Sequence, residues 1–398
     1  MHILLIADGR SPIAQNWIRT LKALNHQVTL VSTYPCEFVE GTDALIELPI
    51  AFAGASGSQA GGKGQSGRRS LVARFRPLLQ TVRWRLAPGT LPAAGRKLAK
   101  LVRQIKPDIV HSLRIPYEGM LASYTPAEVP LIVSTWGNDL TLHAQATPRM
   151  TQLTRRVLQR ADALIADCNR DLRLAAAWGF DDAKPAMVVA GNGGLNLAAL
   201  DTVAAETPRA EPVQIINARG MRSYVRNDTF FQAIPLVLEK YPQVRFVCPS
   251  MQGQPEAEGW IASLGLEKNV SLMPYITPDQ LHREFARSSI AVSITTHDGT
   301  PITLLEAMAF GCLPVCGDIE AIREWITPGV NGLLADSTDF HAVAEAIKLA
   351  IENGELRRKA ALRNREILSE RAEVGKVSYA VDMFYRKVGF VEGKELAS

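Results

Sequence analysis

The stretch HDGTPITLLEAMAFG, residues 297–311, carries two carboxylates, Asp298 and Glu306, with seven residues between them. From Ile302 to Phe310 every neighbour of Glu306 is apolar or a small hydroxyl, so the segment reads as a buried helix. An unpaired carboxylate in such a helix costs several kcal/mol, so Glu306 must meet hydrogen-bond partners. Thr300 suits an N-cap, Pro301 the first helical position and Gly299 a tight turn into them. The N–H groups of Ile302, Thr303 and Leu304 would then point out of the helix toward an anion, aided by its dipole. A diphosphate fits there. Arg219 and Arg226, just after the run VQIINA, would supply cations, with Arg222 a weaker candidate on the same loop. Glu306 would accept the paired hydroxyls of a ribose, and Asp298 a sugar hydroxyl beyond the phosphates. Taken singly, each residue has a blander reading: a core carboxylate bonded to an amide or arginine, or surface arginines. The joint arrangement favours a site.

The elements that must position these groups alternate. HILLIAD (2–8), a helix around AQNWIRTLKALN and HQVTLVS (26–32) form an opening β-α-β unit, and PDIVHS, PLIVST, ADALIADC and AMVVA read as further strands. After the polar stretch 197–212 a second series follows: VQIINAR, VRFVCPS, VSLMPY, IAVSIT and LPVCGD, with a strand predicted over 286–296. Alternation of this kind implies parallel sheets covered on both faces. The expected architecture is α/β, two doubly wound domains: 1–200, and 201–377. Neither opening strand is followed by G-x-G-x-x-G; the chain has ADGRSPIAQ and NARGMRSYVR, which counts against an NAD enzyme.

The composition, 47% hydrophobic and 21% charged, is ordinary for a globular protein. The five cysteines are scattered, and Cys312 and Cys316 lack a second pair at metal-ligand spacing, so a reduced cytosolic setting is expected. No basic leader and no apolar run of about 20 residues is present, which predicts a protein in solution or on a membrane surface. The net charge of +4 is uneven: between Glu47 and Asp108 there is no acidic residue, while residues 63–106 hold a dense basic set. SLVARFRPLLQTVRWRL mixes arginines with Leu, Phe and Trp, which suits either a solvated surface helix or an interfacial helix on anionic lipid. Nucleic acid ranks lower, since no nucleic-acid module is recognisable. GASGSQAGGKGQSG (54–67) is expected to be a mobile loop.

DGTPITLLEAMAFGCLPV resembles the signature of the family 4 retaining glycosyltransferases: an acidic residue, seven others and a Glu before Ala-Met, a Gly and Pro-Val. HQVTLVS, PDIVHS, ADALIADC, GNGGLNL and DIEAIREWITPGVNGLLADSTD follow the family pattern over nearly the whole chain. The resemblance implies the GT-B architecture, two Rossmann-like domains facing across a cleft, with donor in the second and acceptor mainly in the first. It implies no cofactor or essential metal, and a last segment, 378–398, that crosses back onto the first domain. Carried over, Glu306 binds ribose, Arg219 and Arg226 the diphosphate, and Asp298 the transferred sugar. Thr303 adds its amide and hydroxyl, and Gly299, Thr300, Ile302 and Leu304 complete the donor loop.

The chain departs from the family in four places. Asp298 stands where Glu is usual, and Arg226 where Lys is commoner. Trp136-Gly137-Asn138-Asp139 replaces His-Gly-x-Asp, and Asp8-Gly9-Arg10-Ser11-Pro12 replaces a Gly-rich loop. Arg10, Trp136, Asn138 and Asp139 are thus the acceptor-side candidates, with His143 read as structural. The expected reaction moves sugar from a UDP-, GDP- or ADP-sugar to a glycan or lipid-linked acceptor hydroxyl with retention, in cell-envelope polysaccharide or glycolipid synthesis. The expected place is the cytoplasm or the inner membrane face. Competing readings are an epimerase or phosphorylase of the same fold, or a non-catalytic sugar-nucleotide-binding protein.

Overall fold

A computed structural model describes residues 1–50, 76–190 and 193–389. The stretch 54–67, Lys63, Arg68, Arg69, Arg74, Gly191, Asn192 and 390–398 lie outside the described residues. The chain forms two compact units, one running to Gly194 and resuming at Gly375, the other spanning Leu195–Val374.

In the first unit, β1 (His2–Ala7), β2 (Gln27–Ser32), β3 (Ala44–Glu47), β4 (Ile109–Ser112), β5 (Leu131–Ser134), β6 (Ala163–Ala166) and β7 (Ala186–Val188) form one sheet. Its order is β3-β2-β1-β4-β5-β6-β7, and each neighbouring pair is parallel. Side chains alternate between the two faces. Leu4, Ile6 and Val110 enter one apolar cluster with Leu91, Leu98 and Val102 of the Leu91–Ile105 helix. Ile3, Leu5 and Ile109 enter another with Trp17, Ile18 and Leu21 of the Pro12–Ala23 helix.

The last helix, Val374–Gly389, adds Val377, Val381, Phe384, Tyr385 and Val388 to that second cluster, a helical period facing the sheet. Tyr385 is tied in by polar bonds as well. Its hydroxyl accepts from Trp17 Nε1 at 3.0 Å and donates to His111 Nδ1 at 2.5 Å, leaving His111 Nε2–H to donate to Ser134 Oγ at 2.8 Å. Burial pushes His111 down to about 3, so the ring is neutral.

In the second unit, β8 (Gln214–Ile216), β9 (Arg245–Cys248), β10 (Val270–Leu272), β11 (Ile290–Ser293), β12 (Leu313–Gly317) and β13 (Leu333–Ala335) form a parallel sheet of order β10-β9-β8-β11-β12-β13. Phe230, Phe231, Ile234 and Val237 of the Asn227–Leu238 helix and Val343, Ala344 and Ile347 of the Phe340–Glu352 helix fill its core. The strand predicted over 286–296 is shorter. Ala286 and Arg287 finish the Pro278–Arg287 helix, and Ser288 closes it by donating both its N–H and its hydroxyl to the Glu284 carbonyl. In each sheet the strand order reverses once, between β1 and β4 and between β8 and β11, and such switch points open a crevice at the strands' carboxyl ends. No helix among the described residues is long and apolar enough to cross a membrane.

Candidate functional site

The second unit's crevice is built from the loops after β8 and β11 and the Ile302–Ala309 helix. Asn217, directly after β8, shapes the first loop: its Oδ1 accepts the Arg219 N–H at 3.2 Å and its Nδ2 donates to Asn227 Oδ1 at 3.0 Å. Asn227 Nδ2 in turn donates to the carbonyl of Gly220, whose φ of 60° suits glycine. The loop thereby aims Arg219, only 6% exposed, at the far side of the crevice. There Nη2 pairs with Asp298 Oδ2 at 2.5 Å and Nη1 donates to Thr303 Oγ1 at 3.1 Å. Three of the sequence candidates are thus brought into one contact.

The helix start differs from the expectation. Pro301, in extended backbone conformation, is the N-cap and Ile302 the first helical residue. Thr300 does not cap, because its hydroxyl accepts from Trp325 Nε1 at 3.0 Å in a buried setting. Leu304 donates its N–H to the Pro301 carbonyl at 3.0 Å, so its amide is used inside the first turn. The amides of Ile302 and Thr303 are the remaining ones at the helix tip.

Glu306 also differs. Leu304, Leu305, Ala307 and Met308 are buried, whereas Ile302, Thr303, Glu306 and Ala309 make a half-buried stripe. Glu306 is on that stripe, its side chain 13% exposed, and Oε1 accepts from His282 Nε2 at 3.1 Å. Only the burial departs from the expectation; the hydrogen-bond partner that it called for is His282.

Arg226 is elsewhere. Its guanidinium grips Asp228 with two bonds, 2.9 and 2.7 Å, which raises Arg226 and lowers Asp228 from their ordinary values. Reaching a phosphate would require it to leave Asp228. Arg222 donates to the Tyr224 hydroxyl on the exposed loop.

Three polar atoms in this crevice are buried without a hydrogen-bond partner: Arg219 Nε, Ser293 Oγ and Thr295 Oγ1. Ser293 and Thr295, at the end of the apolar run IAVSIT, were not among the sequence candidates. Nor was His282, for which no local pattern exists. Gly317 lies against this loop; a Cβ there would fall 2.5 Å from the Thr295 carbonyl oxygen and 2.4 Å from Ser337 Oγ.

In the first unit Arg10 pairs with Asp8 at 3.0 Å and lies over the Tyr34 ring at 4.1 Å. Trp136 has the Arg114 guanidinium 4.7 Å above its ring and lines a pocket with Ile13, Trp17, Ser134, Thr135 and Asp167. Asp139 does not face a ligand. It is fully buried, with Oδ1 taken by Arg114 at 2.7 Å and Oδ2 by the N–H groups of Ile115 at 2.9 Å and Trp136 at 3.1 Å, so it ties two loops together. Asn138 accepts the amides of Leu142 and His143 through its carbonyl. His143 Nδ1 accepts from Trp84 Nε1 at 3.0 Å, and burial pushes the ring down to about 3, so it is a neutral packing residue. Among the described residues no group of three His, Cys, Asp or Glu is placed to hold a metal ion.

Two family models match this chain: one described as "Glycosyl transferases group 1" over residues 203–366, the other as "Glycosyl transferase 4-like domain" over residues 8–192. A D-inositol 3-phosphate glycosyltransferase of Nocardioides sp. is 24% identical over 227 residues, 52% of this chain and 49% of the relative, so the match spans about half the relative's length. Among solved structures, HepE of Anabaena in complex with UDP and glucose is similar with a TM-score of 0.71 at 15% identity, over 97% of this chain and all of that one. Sucrose-phosphate synthase of Thermosynechococcus elongatus gives 0.73 at 16% identity, over 98% and 99%. At such identities the likeness is one of fold. Matching models in both halves, around two doubly wound parallel sheets, give the assignment: the chain belongs to the group 1 glycosyltransferases, family 4-like, of GT-B fold.

Proposed function

We propose that this glycosyltransferase moves a sugar, with retention at the anomeric carbon, from a nucleotide diphosphate sugar to an acceptor hydroxyl. The observation that carries the reading is the convergence of Arg219, Asp298 and Thr303 at the amino end of the Ile302–Ala309 helix, with Glu306 one turn farther on the same stripe. Three residues of helix rise about 4.5 Å, a span that one furanose ring bridges between its phosphate and its hydroxyls. In this reading the diphosphate meets Arg219, the hydroxyl of Thr303 and the amides of Ile302 and Thr303, with Arg226 as a second cation once released from Asp228. Glu306 accepts the ribose hydroxyls, and Asp298, on the loop before the helix, accepts a hydroxyl of the transferred sugar.

Departure on the front face suits this set of groups. The leaving diphosphate is stabilised by a guanidinium and a helix terminus, and its oxygen takes the proton of the incoming hydroxyl, so no protein nucleophile and no metal is assigned. Loss of one such charge-stabilising contact typically costs on the order of 10² to 10³ in rate. UDP-sugars are the first donors to test, since similar folds hold UDP and UDP-glucose. On the acceptor side we propose a glycan or lipid-linked hydroxyl of the cell envelope, reached from the cytoplasmic membrane face. The Arg76–Leu86 helix supports that placement, with Val82, Arg85 and Leu86 exposed, while Arg83 turns inward to the Tyr34 hydroxyl. Sedimentation with anionic but not zwitterionic vesicles is the expected result for it.

The donor reading is tested by thermal stabilisation with UDP, GDP, ADP and NAD in the absence of metal. A diphosphate at 100 times its dissociation constant adds about 2.7 kcal/mol. One of UDP, GDP or ADP should raise the melting temperature of the wild type and not of Glu306→Ala. Stabilisation by none of them, or an equal rise in the variant, would overturn the reading.

A further inference from the structure

We infer that His282 is a positioning residue of the donor site: it orients the Glu306 carboxylate so that this carboxylate can take the ribose hydroxyls. The inference rests on the ribose role of Glu306 proposed above.

A carboxylate only accepts hydrogen bonds, so the 3.1 Å contact with Glu306 Oε1 places the proton of His282 on Nε2. The contact is built. His282 stands on the Pro278–Arg287 helix, whose start is fixed by a capping box: Thr277 Oγ1 accepts the Gln280 N–H, and Gln280 Oε1 the Thr277 N–H. One turn along that helix, Phe285 stacks at 8° on Phe310, the residue that closes the Glu306 helix, and the His282 ring packs on the same Phe310 at 5.6 Å. The two helices are latched a second time by Arg209, which donates to the Phe285 carbonyl at 3.3 Å and also to the carbonyls of Ser288 and Phe310. His282 is thereby held against Glu306 across 24 residues of sequence, both side chains less than a fifth exposed.

A carboxylate accepts about four hydrogen bonds, and His282 occupies one, on Oε1. The remaining capacity suits a pair of vicinal hydroxyls. Without the imidazole, a Glu on a half-buried stripe samples several rotamers, and binding must order it. Ordering one such side chain weakens affinity by up to about tenfold.

The test compares His282→Ala, His282→Gln and Glu306→Gln with the wild type. Dissociation constants are measured for UDP, GDP and ADP, each beside its 2′-deoxy counterpart. The wild type should prefer one ribonucleotide over its deoxy form by about tenfold or more. His282→Ala should weaken the ribo form by about tenfold and the deoxy form far less, so that the preference collapses. His282→Gln, which keeps an N–H donor at a similar reach, should restore it. A His282→Ala protein that keeps the wild-type preference, or that loses both forms equally without rescue by Gln, would overturn the inference and leave His282 a packing residue. If Glu306→Gln also keeps the preference, the ribose role of Glu306 falls with it. If Glu306→Gln loses the preference and His282→Ala does not, only the inference about His282 falls.

Discussion

Removing the Arg219 guanidinium should unlock the loops after β8 and β11 and stop the reaction, and the two effects can be separated. In Arg219→Met the 2.5 Å pair with Asp298 and the 3.1 Å bond to Thr303 are lost. A charge-assisted hydrogen bond is worth about 1.5–3 kcal/mol, and a carboxylate left unpaired costs more when buried. Asp298 keeps 14% of its side chain in solvent and Thr303 is half-buried, so both partly rehydrate. The expected loss is therefore about 2–3 kcal/mol. Asp298→Asn in the same chain removes the carboxylate charge, and the double variant should recover about 1–2 kcal/mol relative to additivity, read from urea unfolding followed in the second unit. Arg219→Lys keeps the charge without the fork that reaches Asp298 and Thr303 together, so stability should return in part and turnover should not. Turnover is followed as release of nucleoside diphosphate from donor, with an expected drop on the order of 10² to 10³ for Arg219→Met. Additive stabilities in the cycle, within about 0.5 kcal/mol, would refute the pairing argument. Full activity in Arg219→Lys would refute the bridging role.

Other perturbations follow from the same contacts. Tyr385→Phe strands Trp17 Nε1 and His111 Nδ1 in the core and should destabilise the first unit by about 2–4 kcal/mol by thermal unfolding. His111 and His143 are both held near 3 by burial, so the folded chain stays neutral at these two rings where an unfolded chain binds protons below about 6.5; burial lowers His26 as well. Below that pH the unfolded state carries more protons, so stability falls as pH falls. The slope from His111 and His143 together is about 3 kcal/mol per unit between roughly pH 6 and 4. A first-unit stability flat over that window in denaturant titrations would contradict it. Arg226→Ala, which breaks only a partly exposed pair with Asp228, should change stability by less than about 1 kcal/mol and should weaken diphosphate binding less than Arg219→Met does. The opposite order in titration calorimetry would exchange their roles.

The parallel sheets were legible in the sequence because strands buried on both faces, such as HILLIA and IAVS, are continuous apolar runs between amphipathic helices. Most of what local patterns could not show was decided by contacts with other elements. Thr300 and Pro301 both fit the start of a helix, and Trp325, 25 positions later, captures the Thr300 hydroxyl and leaves Pro301 as the cap. The run around Glu306 looked uniformly apolar, yet the stripe of Ile302, Thr303, Glu306 and Ala309 faces outward because the sheet buries only the other side of the helix. Arg226, which stands where Lys is commoner in the family, is claimed by a neighbour instead: Asp228, two residues on, holds its guanidinium. The partner of Glu306, 24 residues upstream on another helix, left no trace in its own neighbourhood.

Three acidic residues were candidates for ligand contact in the sequence, Asp298 and Glu306 on the donor side and Asp139 on the acceptor side, and the structure separates Asp139 from Glu306 by how much acceptor capacity each has already used. Asp139 is wholly buried and both oxygens are taken, by a guanidinium and two amides. A hydroxyl offered to it would have to displace one of those donors and leave it buried without a partner, so its charge serves the loop. Asp298 shares its charge with Arg219, the residue proposed to meet the diphosphate, and keeps a margin of exposure. Glu306 receives one donor on one oxygen and lies on a half-buried stripe. A carboxylate satisfied enough to be held still, yet not so fully that a hydroxyl must evict something, is what recognition of a diol requires. Asp139→Asn should therefore cost stability in the first unit, by about 2–4 kcal/mol, and leave nucleoside diphosphate affinity unchanged, while Glu306→Gln should do the reverse. Equal effects of the two substitutions on affinity, measured by calorimetry, would mean that unused acceptor capacity is the wrong criterion for this chain.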